Sequence, residues 1–393
     1  MPDPSTAPDP LSGVQSGRPG TISFVLGLPD PATFPFVQIQ EAAEVALRQA
    51  GEVALQYAPE QGYGRLIDCI IDKWRHDEET TIARENVTIT FGSTDAVNLL
   101  SQHLARPGDV VLVEAPSYRD TLHLFHDHGF RLGQVPIDER GLQVEALRHI
   151  LHDLQRQGQQ PKFLYTIPSF QNPSGATLSL DRRRMLIDLA REYDFLVIAD
   201  DVYRDLVYEN GVPPALGALD PAGDRVITVG SFSKILAAGL RLGWIIARPP
   251  VIEQLYGSGV RAMGGGANPL ISHLVAAFCR AGHLEPHIMA LRQVYARRRD
   301  AMLSALEAFM PDTVRWSRPA GGYFIWLQLP PALSSAEVVR VADQDGVTCL
   351  ASRAFYASEG ADDHIRLAFS YVPADRVQAG VAKLAAVIDR LSR

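Results

Sequence analysis

The sequence predicts an α/β protein: a doubly wound, mostly parallel sheet forms a large domain, and a smaller α+β domain follows it. Three observations carry that prediction. Continuous apolar runs of four to six residues alternate with stretches of helical period, the pattern of strands buried on both faces and joined by crossover helices. After about residue 250 this alternation gives way to a long helical stretch and then to strands separated by helices. Across 393 residues, 46% are hydrophobic and 21% charged, which supplies one large core and a smaller one without covalent staples.

Taken in order, residues 1–20 (MPDPSTAPDPLSGVQSGRPG) lack a basic stretch followed by an apolar one, so they read as a flexible Pro- and Asp-rich arm rather than a secretory signal. Residues 21–50 form a segment expected to contribute to the small domain and to its pocket. The large domain is expected over 51–282. FVQIQEAAEVALRQA and YGRLIDCIIDKW repeat apolar residues at helical spacing. NVTITFG, DVVLVEAP, KFLYTIP, FLVIADD, RVITVGS and LGWIIAR are the strands, with VEALRHILHDLQRQ and SLDRRRMLIDLAREY as helices between them. His126 and His128, in LFHDHGF, suit a helix C-terminus before Gly129 better than a metal site. Past the glycines Gly264 to Gly266, the stretch LISHLVAAFCRAGHLEPHIMALRQVYARRRDAMLSALEAF reads as one long helix into the small domain, 283–393. That domain carries TVRWS, GGYFIWLQL, VTCLA and IRLAFS and closes on the helix ADRVQAGVAKLAAVIDRLSR.

A net charge of −8 argues against a nucleic-acid partner, because attraction to a phosphate backbone needs a basic face. No apolar run approaches the length of a membrane span. Cys69, Cys279 and Cys349 are odd in number and show no CxxC spacing, so neither a disulfide framework nor a zinc site is indicated. A reducing, cytoplasmic setting is the expectation.

In an open α/β sheet, ligands sit outside the carboxyl ends of the strands. The loops that follow the predicted strands carry the candidate groups. NVTIT leads into Gly92-Ser93-Thr94, a turn that opens a helix and whose N–H groups suit a phosphate. VVLVE leads to Tyr118, FLYTIP to Asn172 in the turn SFQNPSG, and FLVIA to Asp200 and Tyr203. RVITVG leads to SFSKILAAGLRLGW, where Lys234 follows Ser231 and Ser233 and Arg241 lies seven residues on. Such a lysine can form a Schiff base, while the serines and the arginine can bind a phosphate. Lysine is scarce: 33 of the 37 basic residues are Arg. The other three lysines have plain explanations, Lys73 and Lys383 on amphipathic helices and Lys162 ahead of a buried strand.

Together with ISFVLGLPDPATFP, LQYAPEQGYGRL, VEAPSY, PAGGYFIWLQLP and IRLAFS, these segments resemble the fold-type I, pyridoxal-phosphate-dependent aminotransferases of class I/II. The likeness runs from about Thr21 to the C-terminus, and the branch containing 2-aminoadipate and kynurenine aminotransferases is the most similar. The resemblance implies pyridoxal 5′-phosphate as cofactor, with Lys234 holding it covalently and moving a proton between the substrate Cα and the cofactor. Asp200, three residues before Tyr203, is implied as the partner of the ring nitrogen, in preference to Asp201. Asn172 and Tyr203 would bond the ring's 3′ oxygen, and Tyr118 would stack on the ring. Ser93, Thr94, Ser231, Ser233 and Arg241 would hold the phosphate. Tyr57 would reach the phosphate of a second subunit, which implies a homodimer with shared sites. Arg366 would clamp the substrate α-carboxylate, with Gly27 and Asn172 lining the substrate pocket.

Some positions depart from the family's pattern. Thr94-Asp95 stands where relatives often carry a glutamine pair, and Asp95 is expected to face away from the phosphate or to cap a helix. Arg353 is a second arginine near the substrate mouth, and Gly264 to Gly266 suggests room for a bulky substrate or a mobile lid. The reaction implied is amino transfer from an aromatic, aminoadipate-like or bulky apolar α-amino acid to a 2-oxo acid such as 2-oxoglutarate. A lyase, decarboxylase or oxidase using the same cofactor is the alternative, since the ring serves all of them. An aminotransferase-like regulator is a further one, but the twenty or so residues ahead of the resemblance leave no room for its helix-turn-helix.

Overall fold

The computed structural model describes residues 20–393 except 210, 221 and 359. All of the expected N-terminal arm but Gly20 lies outside the described residues. The strands in chain order are β1 (Ile22–Ser23), β2 (Val87–Thr90), β3 (Val110–Ala115), β4 (Arg131–Asp138), β5 (Gly141–Leu142), β6 (Phe163–Thr166), β7 (Leu196–Asp200), β8 (Val226–Ser231), β9 (Gly243–Ile246), β10 (Arg315–Trp316), β11 (Phe324–Gln328), β12 (Val347–Thr348), β13 (Leu350–Ala351) and β14 (His364–Ala368). The helices are α1 (Phe36–Ala54), α2 (Gly64–Glu78), α3 (Ser93–Leu104), α4 (Arg119–Asp127), α5 (Val144–Arg156), α6 (Leu180–Glu192), α7 (Pro249–Tyr256), α8 (Gly259–Ala262), α9 (Pro269–Arg280), α10 (Leu284–Phe309), α11 (Ser335–Gln344) and α12 (Ala374–Ser392).

Eight strands form the large sheet in the order β2-β9-β8-β7-β6-β3-β4-β5. Pairing is parallel from β8 through β7, β6 and β3 to β4, and β9 runs antiparallel between β2 and β8. The apolar runs are two-sided because alternate residues feed opposite layers. Val111 and Val113 join Phe125, Tyr165 and Ile198 on one face, while Leu112 joins Leu147, Leu164 and Leu186 on the other. Chain order reverses between β3 and β6, so the crevice at their carboxyl ends is the place for a ligand.

The small sheet is antiparallel, in the order β10-β11-β14-β13, and packs through Ile325, Leu327, Ile365 and Leu367 onto α10 and α12. β1 pairs with β12, and the Phe24 carbonyl accepts from Ala368 N–H at 2.8 Å, tying the start of the described chain to this sheet. α1 lies instead against α9. The fold class is the one the sequence predicts. One element differs: the stretch expected as a single long helix is two helices, broken at Ala281–His283. Gly282 adopts φ +76, its N–H donates to Cys279 O and the His283 N–H to Phe278 O, the paired bonds that close a helix on a left-handed residue.

Candidate active site

β7 ends at Asp200, and the alternation of a strand sends Asp200 and the next residue, Asp201, to opposite faces. Asp200 is buried. Its Oδ2 accepts from the Tyr165 hydroxyl at 2.7 Å, and its Oδ1 has no partner. Burial, with the charge of Asp201 adding to it, pushes this carboxyl up to about 6, although the Tyr165 hydrogen bond and the nearby Lys234 oppose the shift.

Lys234 stands in the turn after β8. Its Nζ donates to the Gly27 carbonyl at 3.4 Å and lies 5.7 and 5.8 Å from the ring centres of Tyr203 and Tyr323. Burial brings the amine down to about 8; Arg366 and Arg241 push the same way, and Asp200 resists. Gly27 has to be glycine here, since a Cβ would come within 2.5 Å of the Phe324 ring.

The turn before α3 and the segment around Arg241 build one cradle. Gly92 precedes the helix at φ +91, and a Cβ there would meet the Arg241 guanidinium at 3.0 Å. Arg241 is itself left-handed, at φ +49, and donates to the carbonyls of Phe91 and Ala238, both at 3.2 Å. Ser231 and Ser233 are buried beneath, with the Ser231 hydroxyl accepting from the Ser233 N–H at 3.0 Å. Ser93 is half-buried and Thr94 exposed at the first turn of α3. Asp95 turns back to accept from the Phe91 N–H at 3.0 Å and sits 3.7 Å from Arg261, so its charge caps the helix start as expected.

On the small-domain side, β14 carries Arg366 into the crevice. Nη1 donates to Asn172 Oδ1 at 3.1 Å and Nη2 to the Val25 carbonyl at 2.5 Å, and Nε is buried without a partner. The guanidinium lies 4.5 Å from the Phe324 ring centre and 5.2 Å from that of Phe355. Tyr118, half-buried at the start of α4, donates to Asp120 at 2.8 Å, and burial, then the Asp120 charge, raises its phenol. Tyr203 is buried, and burial raises its phenol too.

Asp200, Tyr203, Lys234, Asn172, Gly27 and Arg366 thus meet in one crevice, with Ser93, Ser231, Ser233 and Arg241 at one end of it. Tyr57 does not join them within its own chain. It is 78% exposed and lies against Gly264, where a Cβ would be 2.6 Å from its ring. The triple glycine packs closely on this segment: Gly264 on Tyr57, and Gly266 on the Pro59 carbonyl, 2.7 Å from a notional Cβ. Arg353 is exposed. Lys73 lies on the amphipathic helix α2, as expected, nearly buried and paired with Asp205 at 2.5 Å.

Sequence reasoning missed two residues, Tyr165 and Glu114. Glu114 ends β3 and is fully buried. It accepts from the Thr166 hydroxyl, from the Ile167 N–H at 3.1 Å and from Gln171 Nε2 at 3.1 Å, and so pins the loop that presents Asn172. Each is a polar residue in an apolar strand run, and that was the available signal.

The unpartnered oxygen of Asp200 suits a protonated ring nitrogen. A helix N-terminus with two serines and an arginine suits a phosphate, and a half-buried lysine with a lowered pKa suits a Schiff base. These features define an enzyme of the fold-type I pyridoxal-phosphate class, and the residues fit that cofactor. The sequence profile of the family described as aminotransferase class I and II matches residues 27–384, and the chain belongs to that family. Aromatic-amino-acid aminotransferase 1 of Thermococcus litoralis is 36% identical over 93% of this chain and 88% of its own. The 2-aminoadipate transaminase of Thermus thermophilus is 36% identical over 93% of this chain and 90% of its own. Among solved structures, Pyrococcus horikoshii kynurenine aminotransferase, in complex with PMP, superposes with a TM-score of 0.90 at 38% identity, covering 94% of this chain and 91% of that one. The protein is a pyridoxal-phosphate-dependent aminotransferase, acting on amino and oxo acids. No helix among the described residues is long and apolar enough to cross a membrane.

Proposed function

We propose that this aminotransferase takes aromatic or long-chain α-amino acids, including aminoadipate-like ones, as donors and 2-oxoglutarate as acceptor, and that it works as a homodimer. The observation that carries the reading is the setting of Arg366. Its buried guanidinium fork, with Nε unsatisfied, faces the crevice that holds Lys234 and is bracketed by Phe324 and Phe355. A fork of that kind pairs bidentately with a carboxylate, and the rings beside it favour an apolar or aromatic side chain. The names of the relatives from Thermococcus litoralis, Thermus thermophilus and Pyrococcus horikoshii support the same donor class.

Bound pyridoxal phosphate supplies an electron-withdrawing ring that acidifies the substrate Cα–H. Arg366 and Asn172 fix the carboxylate end of the substrate. Lys234, whose amine is held near 8, serves as the base that takes the Cα proton and returns it. Asp200, steadied by Tyr165, keeps a negative charge opposite the ring nitrogen. Ser93, Thr94, Ser231, Ser233 and Arg241 would anchor the phosphate, Tyr203 and Asn172 would hold the 3′ oxygen, and Tyr118 would lie over the ring. Tyr57, exposed on its own subunit, completes the phosphate site of the other. A reducing cytoplasm, which keeps Cys69, Cys279 and Cys349 as thiols, is the setting.

The test is donor selectivity. With 2-oxoglutarate as acceptor, kcat/KM for phenylalanine, kynurenine and 2-aminoadipate should exceed that for alanine and aspartate by roughly tenfold or more, the discrimination a few methylenes of burial supply. Equal or reversed selectivity would remove the donor assignment.

A further inference from the structure

Behind Asp200, on the face of the sheet away from Lys234, α2 and strands β8 and β9 line a small, partly open cavity of about 50 Å³. Asp201 and Thr228 are on its wall. Asp201 is 7% and Thr228 6% exposed, yet both Asp201 carboxylate oxygens and the Thr228 hydroxyl lack any hydrogen-bond partner. The other acids of the wall have cations beside them, though not one each, and the Asp201 charge also acts on the buried guanidinium of Arg183. Glu78 is held by Arg204 at 2.6 Å, and Asp77 and Asp205 share Lys73 at 2.8 and 2.5 Å. Lys73 is kept charged because those two carboxylates together outweigh the burial that opposes its charge. Among the described residues, no Lys, Arg or His nitrogen forms an ion pair with Asp201.

A buried carboxylate with both oxygens empty is strongly unfavourable unless positive charge or donors reach it. Four carboxylates, Asp77, Glu78, Asp201 and Asp205, thus face three cations, Lys73, Arg204 and Arg183, which leaves one negative charge and three unpartnered oxygen ligands beside the cavity. Magnesium would demand six ligands in near-ideal octahedral geometry, which three unpartnered oxygens on one wall do not supply. An alkali cation matches both the charge and the ligand type.

We propose that this cavity is a monovalent metal-cation site, taking Na⁺ or K⁺ between Asp201 and Thr228. The bound ion cancels the charge that Asp201 sets against its neighbour Asp200. The proposal does not depend on which amino acid is the donor.

Thermal unfolding of the cofactor-loaded enzyme, followed in sodium, potassium and choline chloride at one ionic strength, tests it. The midpoint should be higher in sodium or potassium than in choline, by about 2 °C or more for a site near saturation. Asp201→Asn and Thr228→Val should each erase that difference. Thr228→Val removes only a hydroxyl, so it keeps the test open if Asp201→Asn fails to fold. Crystals soaked in thallous salt should show an anomalous peak between Asp201 and Thr228. Identical midpoints in the three chlorides, or a cation response that survives in the folded variants, would overturn the proposal and leave the cavity to water.

Discussion

Lys234 and Arg366 are two cations held where burial opposes charge, one brought down to about 8 and the other to about 10. That cost makes sense if Lys234 works as a neutral amine that takes up a proton during turnover and Arg366 meets a carboxylate. Lys234→Ala should abolish the visible band of the bound cofactor and lower amino transfer roughly a thousandfold or more. Arg366→Lys keeps the charge but loses the fork, so kcat/KM should fall roughly 10- to 100-fold, mainly through KM for the amino acid. Glu114 offers a test of pH dependence. Its carboxyl, ordinarily near 4.5, is pushed up to about 7 by burial. Between those values the folded protein binds the extra proton, so stability present below about 4.5 is lost as pH rises through 7. Glu114→Gln should flatten that fall in urea unfolding measured from pH 5 to 8; parallel profiles for the two proteins would contradict it. Lys234, Asn172 and Arg366 were legible because they sit in loops or motifs where their chemistry has no structural purpose. Tyr165 and Glu114 were not, because a polar residue in a buried strand is understood only through its partner on another strand.

The elements most legible in the sequence were those whose burial is symmetric. β3, β6, β7 and β8 are buried throughout or nearly so, and each reads as an unbroken apolar run. β4 was missed because RLGQVPID mixes Arg, Gly, Gln and Pro into a strand with only Val135 fully buried. α11 carried a sign that went unread: Ser334 caps it, accepting from the Glu337 N–H. The break between α9 and α10 turns on Gly282, where φ is +76 and a Cβ would touch nothing within 4 Å. Gly282→Ala therefore carries a backbone cost alone, and should destabilise the protein by about 1 kcal/mol in urea unfolding. No change would show that the break is set elsewhere, by Ala281 or His283.

For the whole molecule, the central question is how one crevice draws on separate regions: the large sheet, the small sheet that carries Arg366 and, in the homodimer proposed above, Tyr57 of a second subunit. No single stretch of sequence contains that assembly, and it became readable only because several loops carry fitting groups in the right order. A site shared between subunits, as proposed, has a direct consequence. When subunits bearing Lys234→Ala are mixed with subunits bearing Tyr57→Ala, one site of each mixed dimer regains both residues, and activity should rise above that of either parent. If Tyr57 acts within its own chain, mixing restores nothing. The account as a whole rests on the transfer of an amino group, and the visible spectrum of the purified enzyme, recorded as single amino acids are added without any oxo acid, tests that most directly. The band of the bound cofactor should disappear as the pyridoxamine form appears, and return when 2-oxoglutarate is supplied. A band that persists while ammonia, carbon dioxide or peroxide accumulates would mean that the amino acid is cleaved or oxidised, and the account would be wrong.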